Sequence, residues 1–503
     1  MPHEVDPELL ALPLDAVTSA ALTAAREAGA THADVRVERH RGQALVLRDA
    51  ALQSRTDDAS AGLAVRVVAD GTWGFAASSD VTVDEAVRLA RQAVEVARTS
   101  RPLNADPVEL ADEPVHRGTW VSAYDVDPFD VDAADKTALL ADWSRRLLGS
   151  PHVTHADAAL DQVREAKHYG DSAGTTTTQQ RVRLQARVTA TRVDAGGGFE
   201  TMRSCALPVG RGWEHLTGAD WDWDGELAQM PELLAEKARA RSVEPGRYDL
   251  VLDPTNLWLT IHESVGHATE LDRALGYEAA YAGTSFATPD RLGTLQYGSP
   301  LMHVTGDRMT PHGLSTVGWD DEGVEAQSWD LVRDGVLVGY QLDRRTAAQN
   351  AALLGSGRSN GCAFADSPLH VPLQRMPNVS LRPAPDGPTT EQLIAGVERG
   401  IYVVGDRSWS IDMQRYNFQF TGQRFYEIRG GRLVGQLRDV AYQSSTLDFW
   451  RSLDGLGGPS TYLLGGAFNC GKGQPGQIAP VSHGCPAAVF RGVNVLNTAQ
   501  EGR

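Results

Sequence analysis

Apolar residues recur along this chain with two different periods. Through 14–28 they recur at helical spacing and stop at Gly29. In 83–97 Val83, Ala86, Val87, Leu89, Ala90, Ala93 and Val94 gather mostly on one helical face. Between these stretches, 33–38, 43–48 and 63–68 alternate with period two, as half-buried strands do. Asp70-Gly71 fits a hairpin turn into a further strand at 72–76. Residues 101–130, with several Pro and Asp, read as a connection, and 133–148 as a helix. Strands follow at 154–164, 176–192 and 199–207, and a helix at 227–241 leads into the second half.

Pro245-Gly246 marks the boundary, giving an N-terminal α/β domain over 1–244 and a C-terminal domain over 245–503. A buried strand at 248–252 meets an Asp253-Pro254 turn, and from Thr255 the spacing is helical. Beyond His267, Gly, Pro and short strands dominate. Hairpins are expected at 331–340 and 425–434, helices at 390–399 and 445–453, and a strand-like run at 487–495. Strand and helix do not alternate, so the fold class is α+β with a strand-rich C-terminal half, and a Rossmann-type sheet is not expected.

Composition narrows the function only a little. With 503 residues the chain exceeds one ordinary core, and 42% hydrophobic with 22% charged residues is ordinary for a soluble globular protein. Lys+Arg of 47 against Asp+Glu of 65 gives a net charge of −18, which argues against a nucleic-acid binder. No apolar run is long enough for a bilayer, so no membrane span is expected. The acidic stretch 1–6 does not read as a signal peptide. Four cysteines (Cys205, Cys362, Cys470 and Cys485) are few for this length and fit a reducing cytoplasm.

The chemistry concentrates in His262-Glu263-Ser264-Val265-Gly266-His267. Two imidazoles with a carboxylate after the first resemble the zincin arrangement, in which both His bind zinc and Glu activates its water. Here the spacing is one residue longer. Positions i and i+4 lie about 40° apart around a regular helix, but i and i+5 about 140° apart. A widened turn or a helix end at Gly266, whose backbone is permissive, would bring the two rings together. Zinc needs at least a third protein ligand, and carboxylates, histidines and three cysteines downstream are available. Cys470 sits in the glycine-rich segment 469–477, beside Lys472, whose charge would favour a thiolate. Cys485, with His483 two residues earlier, is the alternative, although the apolar run after it suits packing. Asp320-Asp321-Glu322-Gly323 reads most simply as a solvated acidic turn. Residues 375–381 read as an ordinary strand, or as an edge that pairs with an extended peptide. His303, His312 and His370 read as surface or core residues.

Taken together, His-Glu-Ser-Val-Gly-His, Asp320-Asp321-Glu322-Gly323, Arg375-Met376-Pro377-Asn378 and Cys470-Gly471-Lys472 resemble the TldD/PmbA family of zinc metallopeptidases. The match is to the TldD branch, which carries the metal motif that the TldE (PmbA) partner branch lacks. The chain departs from the family at Pro377 and in the tail Ser482-His483-Gly484-Cys485. The resemblance implies a two-domain TldD/PmbA-like architecture with 245–503 as the metallopeptidase domain. It implies Zn2+ held by His262, His267 and Cys470, with Glu263 as the base that activates a zinc-bound water. It further implies a peptide substrate, unfolded or a leader segment, and either a TldE/PmbA-like partner subunit or a homodimer. Three other functions compete: a non-catalytic partner or regulator, against which the intact metal motif argues; a specialised amide hydrolase acting on a small peptide-like metabolite; and a metal-dependent lyase or deformylase-like enzyme, whose chemistry Cys plus two His also suits.

Overall fold

The computed structural model describes residues 4–218, 220–473 and 475–501. Residues 1–3 of the N-terminal stretch and Gln474 of the glycine-rich segment lie outside them. Among the described residues seven strands form the first sheet: β1 (His32–Arg48), β2 (Ala51–Ala69), β3 (Thr72–Ser78), β4 (Arg117–Val121), β5 (His155–Asp171), β6 (Thr176–Val193) and β7 (Phe199–Arg203). Their order is β3-β2-β1-β5-β6-β4, with β7 also on β6, and only the β4–β6 pair is parallel. The strands run longer than the alternation indicates. β1 continues through Arg39-His40-Arg41-Gly42, because both of its edges are paired there, with β2 and with β5. The first half of β2 is exposed and carries no apolar signal, so pairing alone holds it. Strand β4 lies within the segment expected to be a connection.

Side-chain alternation gives this sheet two unlike faces. Val35, Val37, Val65, Val67 and Ala166 pack against helices α1 (Leu14–Glu27) and α2 (Val83–Ser100). Farther along the same strands, Leu45, Leu47, Leu160 and Leu184 pack against α3 (Ala133–Leu148) and α4 (Trp223–Arg239), where Trp143 and Trp223 stack with centroids 4.3 Å apart. The intervening positions point the other way and are charged yet buried: Asp34, Arg36, Glu38, Arg66, Glu165, Lys167, Arg181 and Arg183. That face meets the C-terminal half.

The acidic turn 320–323 is not solvated, contrary to the local reading. Asp321 accepts hydrogen bonds from Arg36 (3.0 Å) and Lys167 (2.9 Å), and Glu322 from Arg66 (2.9 Å). Asp320 accepts backbone N–H groups of Glu322, Val324 and Ala363, all at 2.9 Å. The counter-charges come from strands some 150 to 285 positions away in sequence, so no local pattern announces them. Buried charge is tolerated only when paired, and this network holds the turn against the first sheet.

In the second half β8 (Gly246–Leu252) lies between β11 (Arg399–Ile411) and β16 (Ala488–Asn497) in an eight-stranded sheet. The sheet continues through β13 (Val440–Ser445) to β12 (Asn417–Arg429), and β12 also pairs with β11, which closes a ring of five strands. A four-stranded sheet includes β9 (Val304–Asp307) and β10 (Asn378–Leu381). β14 (Leu463–Lys472) and β15 (Gln477–Cys485) pair with each other. Both hairpins expected at 331–340 and 425–434 form; the helix expected at 390–399 stops at Ala395, where Gly396 caps it. No helix among the described residues is long and apolar enough to cross a membrane.

Candidate metal centre

Helix α5 (Pro254–Ile261) starts where β8 ends. Asp253 caps it by accepting the backbone N–H of Thr255, and Pro254 occupies the first turn, where its missing N–H costs nothing. Leu257, Leu259 and Ile261 bury it in the large C-terminal core. The helix then widens. Residues His262–Gly266 form a π turn, closed by the N–H of His267 donating to the carbonyl of His262. A π turn closes on the fifth residue as an α turn closes on the fourth, so side chains five apart come to the same side. The rings of His262 and His267 accordingly stand 4.7 Å apart, centroid to centroid. The expected widening is present, but glycine serves it differently. Gly266 has an ordinary helical φ of −53°. What its position requires is space: a Cβ there would sit 2.6 Å from Met376 Sδ.

Widening frees carbonyls, which need other donors. Tyr297 Oη–H donates to Ser264 O, Thr269 Oγ1–H to Val265 O (2.9 Å), and the Gln341 amide to Gly266 O (2.5 Å). Trp450 Nε1–H donates to Ser264 Oγ at 2.9 Å. The irregular turn is thus satisfied on all sides by the core.

Cys470 approaches from β14, with Sγ 3.6 Å from His267 Nε2. The donor atoms of His262, His267 and Cys470 all lie within 4.8 Å of one another, and all three residues are buried. Cys470 stands in a strand, at an irregularity in the β14–β15 register between Ala467 and Cys470, and not in a free loop. Hydrogen bonds settle which ring nitrogens are free. His483 Nδ1–H donates to Val379 O at 2.8 Å, since a carbonyl can only accept. Its Nε2 is then the acceptor for His262 Nδ1–H, at 2.7 Å. Burial, with His262 beside it, holds the His483 pKa far below the usual imidazole value, so the ring stays neutral. On the other side His267 Nδ1–H donates to Glu270 at 2.9 Å. Both histidines therefore present an unprotonated Nε2 toward the thiol, as metal-binding imidazoles with an oriented outer nitrogen do.

Charge around the cluster favours the metal-binding forms. Burial lowers the pKa of both His262 and His267. Burial raises that of Cys470, but His267 and Arg375 outweigh it, so the thiol lies below its ordinary value. Arg375 also donates to Cys470 O, and Gly266 abuts the neighbouring Met376, so the 375–378 motif braces the cluster from both sides. Lys472 does not face the thiol as expected. Its ammonium lies 2.9 Å from Asp272 and 3.3 Å from both Glu270 and Glu278, and so supports the carboxylate that orients His267. Glu263 is buried beside the cluster and accepts a hydrogen bond from Arg415 at 2.7 Å.

The remaining candidates lie elsewhere. Cys485 Sγ is 3.6 Å from Pro254 O, in the core, and burial pushes its thiol well above the ordinary value. His483 orients His262 and does not join the donor group. His303 and His370 pair with Asp334 and Asp366. Strand β10 is no open edge: β9 lines one side, and Val379 O and Ser380 Oγ bond to His483 and Gly484 of β15 on the other. Sequence reasoning did not single out Glu270, Gln341, Tyr297 or Arg415. Glu270, three residues after His267, was open to detection by spacing; the others come from distant segments.

Two family models match the chain. The PmbA/TldA metallopeptidase C-terminal domain covers residues 245–497, and PmbA/TldA metallopeptidase domain 1 covers 33–97. The chain belongs to the PmbA/TldD metallopeptidase family. Relatives are similar along nearly their whole length. A metalloprotease of Methanothermobacter thermautotrophicus is 28% identical over 93% of this chain and 96% of its own. A metalloprotease TldD homolog of Haemophilus influenzae is 24% identical over 93% of each chain. A zinc metalloprotease TldD homolog of Saccharolobus solfataricus is 22% identical over 92% and 96%. The PmbA/TldD fold is also seen in TldE of Thermococcus kodakarensis, which superposes with a TM-score of 0.70 at 15% identity, covering 95% of this chain and 99% of that one.

Proposed function

We propose that this PmbA/TldD-family protein is a zinc-dependent peptidase of the TldD type, acting on unfolded or leader peptides. One observation carries the reading: three buried donor atoms, from His262, His267 and Cys470, within 4.8 Å of one another and next to the Glu263 carboxylate. Two imidazoles and a thiolate fit zinc and leave a fourth position open. Zinc held there supplies a Lewis acid and acidifies water toward neutrality.

The chain's own residues do the rest. His483 and Glu270 hold the two imidazoles in the tautomer that offers Nε2. Glu263 takes the proton of the attacking water and returns it to the leaving amine. Strand β14, which bears Cys470, pairs only with β15 among the described residues. Its other edge suits an extended peptide backbone better than a folded protein. We assign this chemistry to 245–503, with 1–244 as its support, and expect the assembly to contain a TldE-like subunit or a second copy of this chain.

The test is Glu263→Ala in the full-length, zinc-loaded protein. Zinc content should be unchanged, while hydrolysis of an unstructured peptide falls by about 10²–10⁴-fold or more. Normal hydrolysis by this variant would remove Glu263 from the mechanism.

A further inference from the structure

Arg415 lies at the tip of the β11–β12 hairpin, outside every motif that marks the site. Its backbone is unusual: φ is +62°, a left-handed value that a non-glycine residue adopts only when surroundings impose it. Those surroundings are plain. Asp412 accepts the N–H groups of Gln414 (3.1 Å), Tyr416 (2.8 Å) and Asn417 (2.9 Å). The carbonyls of Met413 and Gln414 accept from Thr284 and Phe286, and Arg415 O accepts from Thr446 Oγ1 at 2.7 Å. The turn is fixed from three directions, and the fixed turn delivers one guanidinium to Glu263.

That guanidinium is underused. One Nη–H donates to Glu263 Oε2, and Nε–H is buried with no acceptor. Buried donors normally find partners, so an orphan N–H beside a base calls for an oxygen that arrives from outside. The same guanidinium that touches Glu263 can reach an oxygen only one hydrogen bond away from the atom that moves the proton.

We propose that Arg415 is a further catalytic residue, donating N–H bonds to the scissile carbonyl oxygen of the peptide and to the oxyanion it becomes. This inference rests on the peptidase reading. The water oxygen bonds to the carbonyl carbon, the C=O π pair moves onto oxygen, and Glu263 takes the released proton. On collapse the C=O bond re-forms, the C–N bond breaks, and the proton goes to the amine. Arg415 stays protonated throughout and faces the oxygen while it carries charge. In the resting state it neutralises Glu263. A fixed donor in a site shut off from water is the usual means of oxyanion stabilisation, and losing one costs about 10²–10³-fold in kcat.

The experiment uses the full-length zinc-loaded protein, an unstructured fluorogenic peptide, and a phosphinic peptide whose tetrahedral P–O⁻ stands in for the oxyanion. Arg415→Ala should stay folded with unchanged zinc content, at a lower melting temperature because buried Glu263 loses its partner, and lose about 10²–10³-fold in kcat. Arg415→Lys should lose less. Across the wild type, Lys and Ala forms, the phosphinate inhibition constant should rise by the factor by which kcat/KM falls, with little change in KM. Added guanidinium ion should restore part of the Arg415→Ala activity. The proposal is overturned if Arg415→Ala keeps or gains kcat, if kcat falls while phosphinate affinity is unchanged, or if both replacements unfold, which would assign Arg415 to the fold. A wild-type protein that cleaves no peptide defeats the peptidase reading itself, whereas an active wild type with an active Arg415→Ala defeats only this inference.

Discussion

Replacing His483 by Leu removes a ring that does two separable things. It accepts from His262 Nδ1–H at 2.7 Å and donates to Val379 O at 2.8 Å, all within the buried core. Without it, His262 Nδ1–H loses its acceptor and Val379 O its donor. An unmet buried polar group costs about 1–3 kcal/mol, so the apo protein should lose about that much stability for each group that water cannot reach. Zinc affinity registers only the His262 part. Freed from its partner, the ring can turn or move its proton to Nε2, and either change withdraws the donor nitrogen. Loss of an outer-shell partner of this kind weakens metal binding by about 10–100-fold, or about 1.4–2.8 kcal/mol. The assay is competition for zinc with a chromophoric chelator at pH 7.5, alongside urea unfolding of the apo forms. His483→Gln, which keeps a polar group in the place of the ring, should fall between wild type and Leu. Zinc affinity of His483→Leu within twofold of wild type would show that the relay does not position His262, and the tautomer argument would fail with it.

Other perturbations test the scaffold. Asp321→Ala removes one of the carboxylates that Arg36 and Lys167 share, leaving them Glu38, and should cost about 1–3 kcal/mol, read from urea midpoints. Acid should weaken the same network. Burial raises the pKa of Asp34 and Glu38, but Arg66 beside the first, and Arg36 and Lys167 beside the second, bring both to about 2. An unfolded chain binds those protons near pH 4, so the stabilisation is complete above about pH 4.5 and is lost as pH falls toward 2; urea midpoints at pH 5, 4 and 3 should decline in that order. Gly266→Ala drives a methyl group against Met376, 2.6 Å from Sδ, and should destabilise by about 1–3 kcal/mol, with partial recovery on adding Met376→Ala.

Much of the site was legible because two of its three donors, His262 and His267, sit in one short stretch with a rare spacing. The His262–His267 separation of five residues demanded a widened turn, and a π turn is present. Gly266 was tied to backbone freedom when it was needed for room beside Met376, a contact that depends on a distant strand. The partners that hold His262 and Glu263, His483 and Arg415, lie 221 and 152 positions from the residues they touch, and no spacing rule reaches that far. The same limit hid the role of Asp320-Asp321-Glu322. Its local pattern is that of a surface turn, and only the charged face of the first sheet makes burial affordable in energy. In the fold, strands with clear apolar alternation were found, whereas 51–62 of β2 and 39–42 of β1 carry polar residues and owe their strand form to neighbours on the sheet.

The central claim is that His262, His267 and Cys470 hold one catalytic zinc. Zinc K-edge X-ray absorption of the freshly purified, full-length protein, with Cys470→Ser and Cys485→Ser beside it, tests this most directly. The account predicts one sulfur at about 2.3 Å and two nitrogens at about 2.0–2.1 Å in the wild type. It predicts the sulfur to vanish in Cys470→Ser and to persist in Cys485→Ser. A wild-type spectrum without sulfur, or a sulfur that disappears with Cys485 and survives the loss of Cys470, would contradict it.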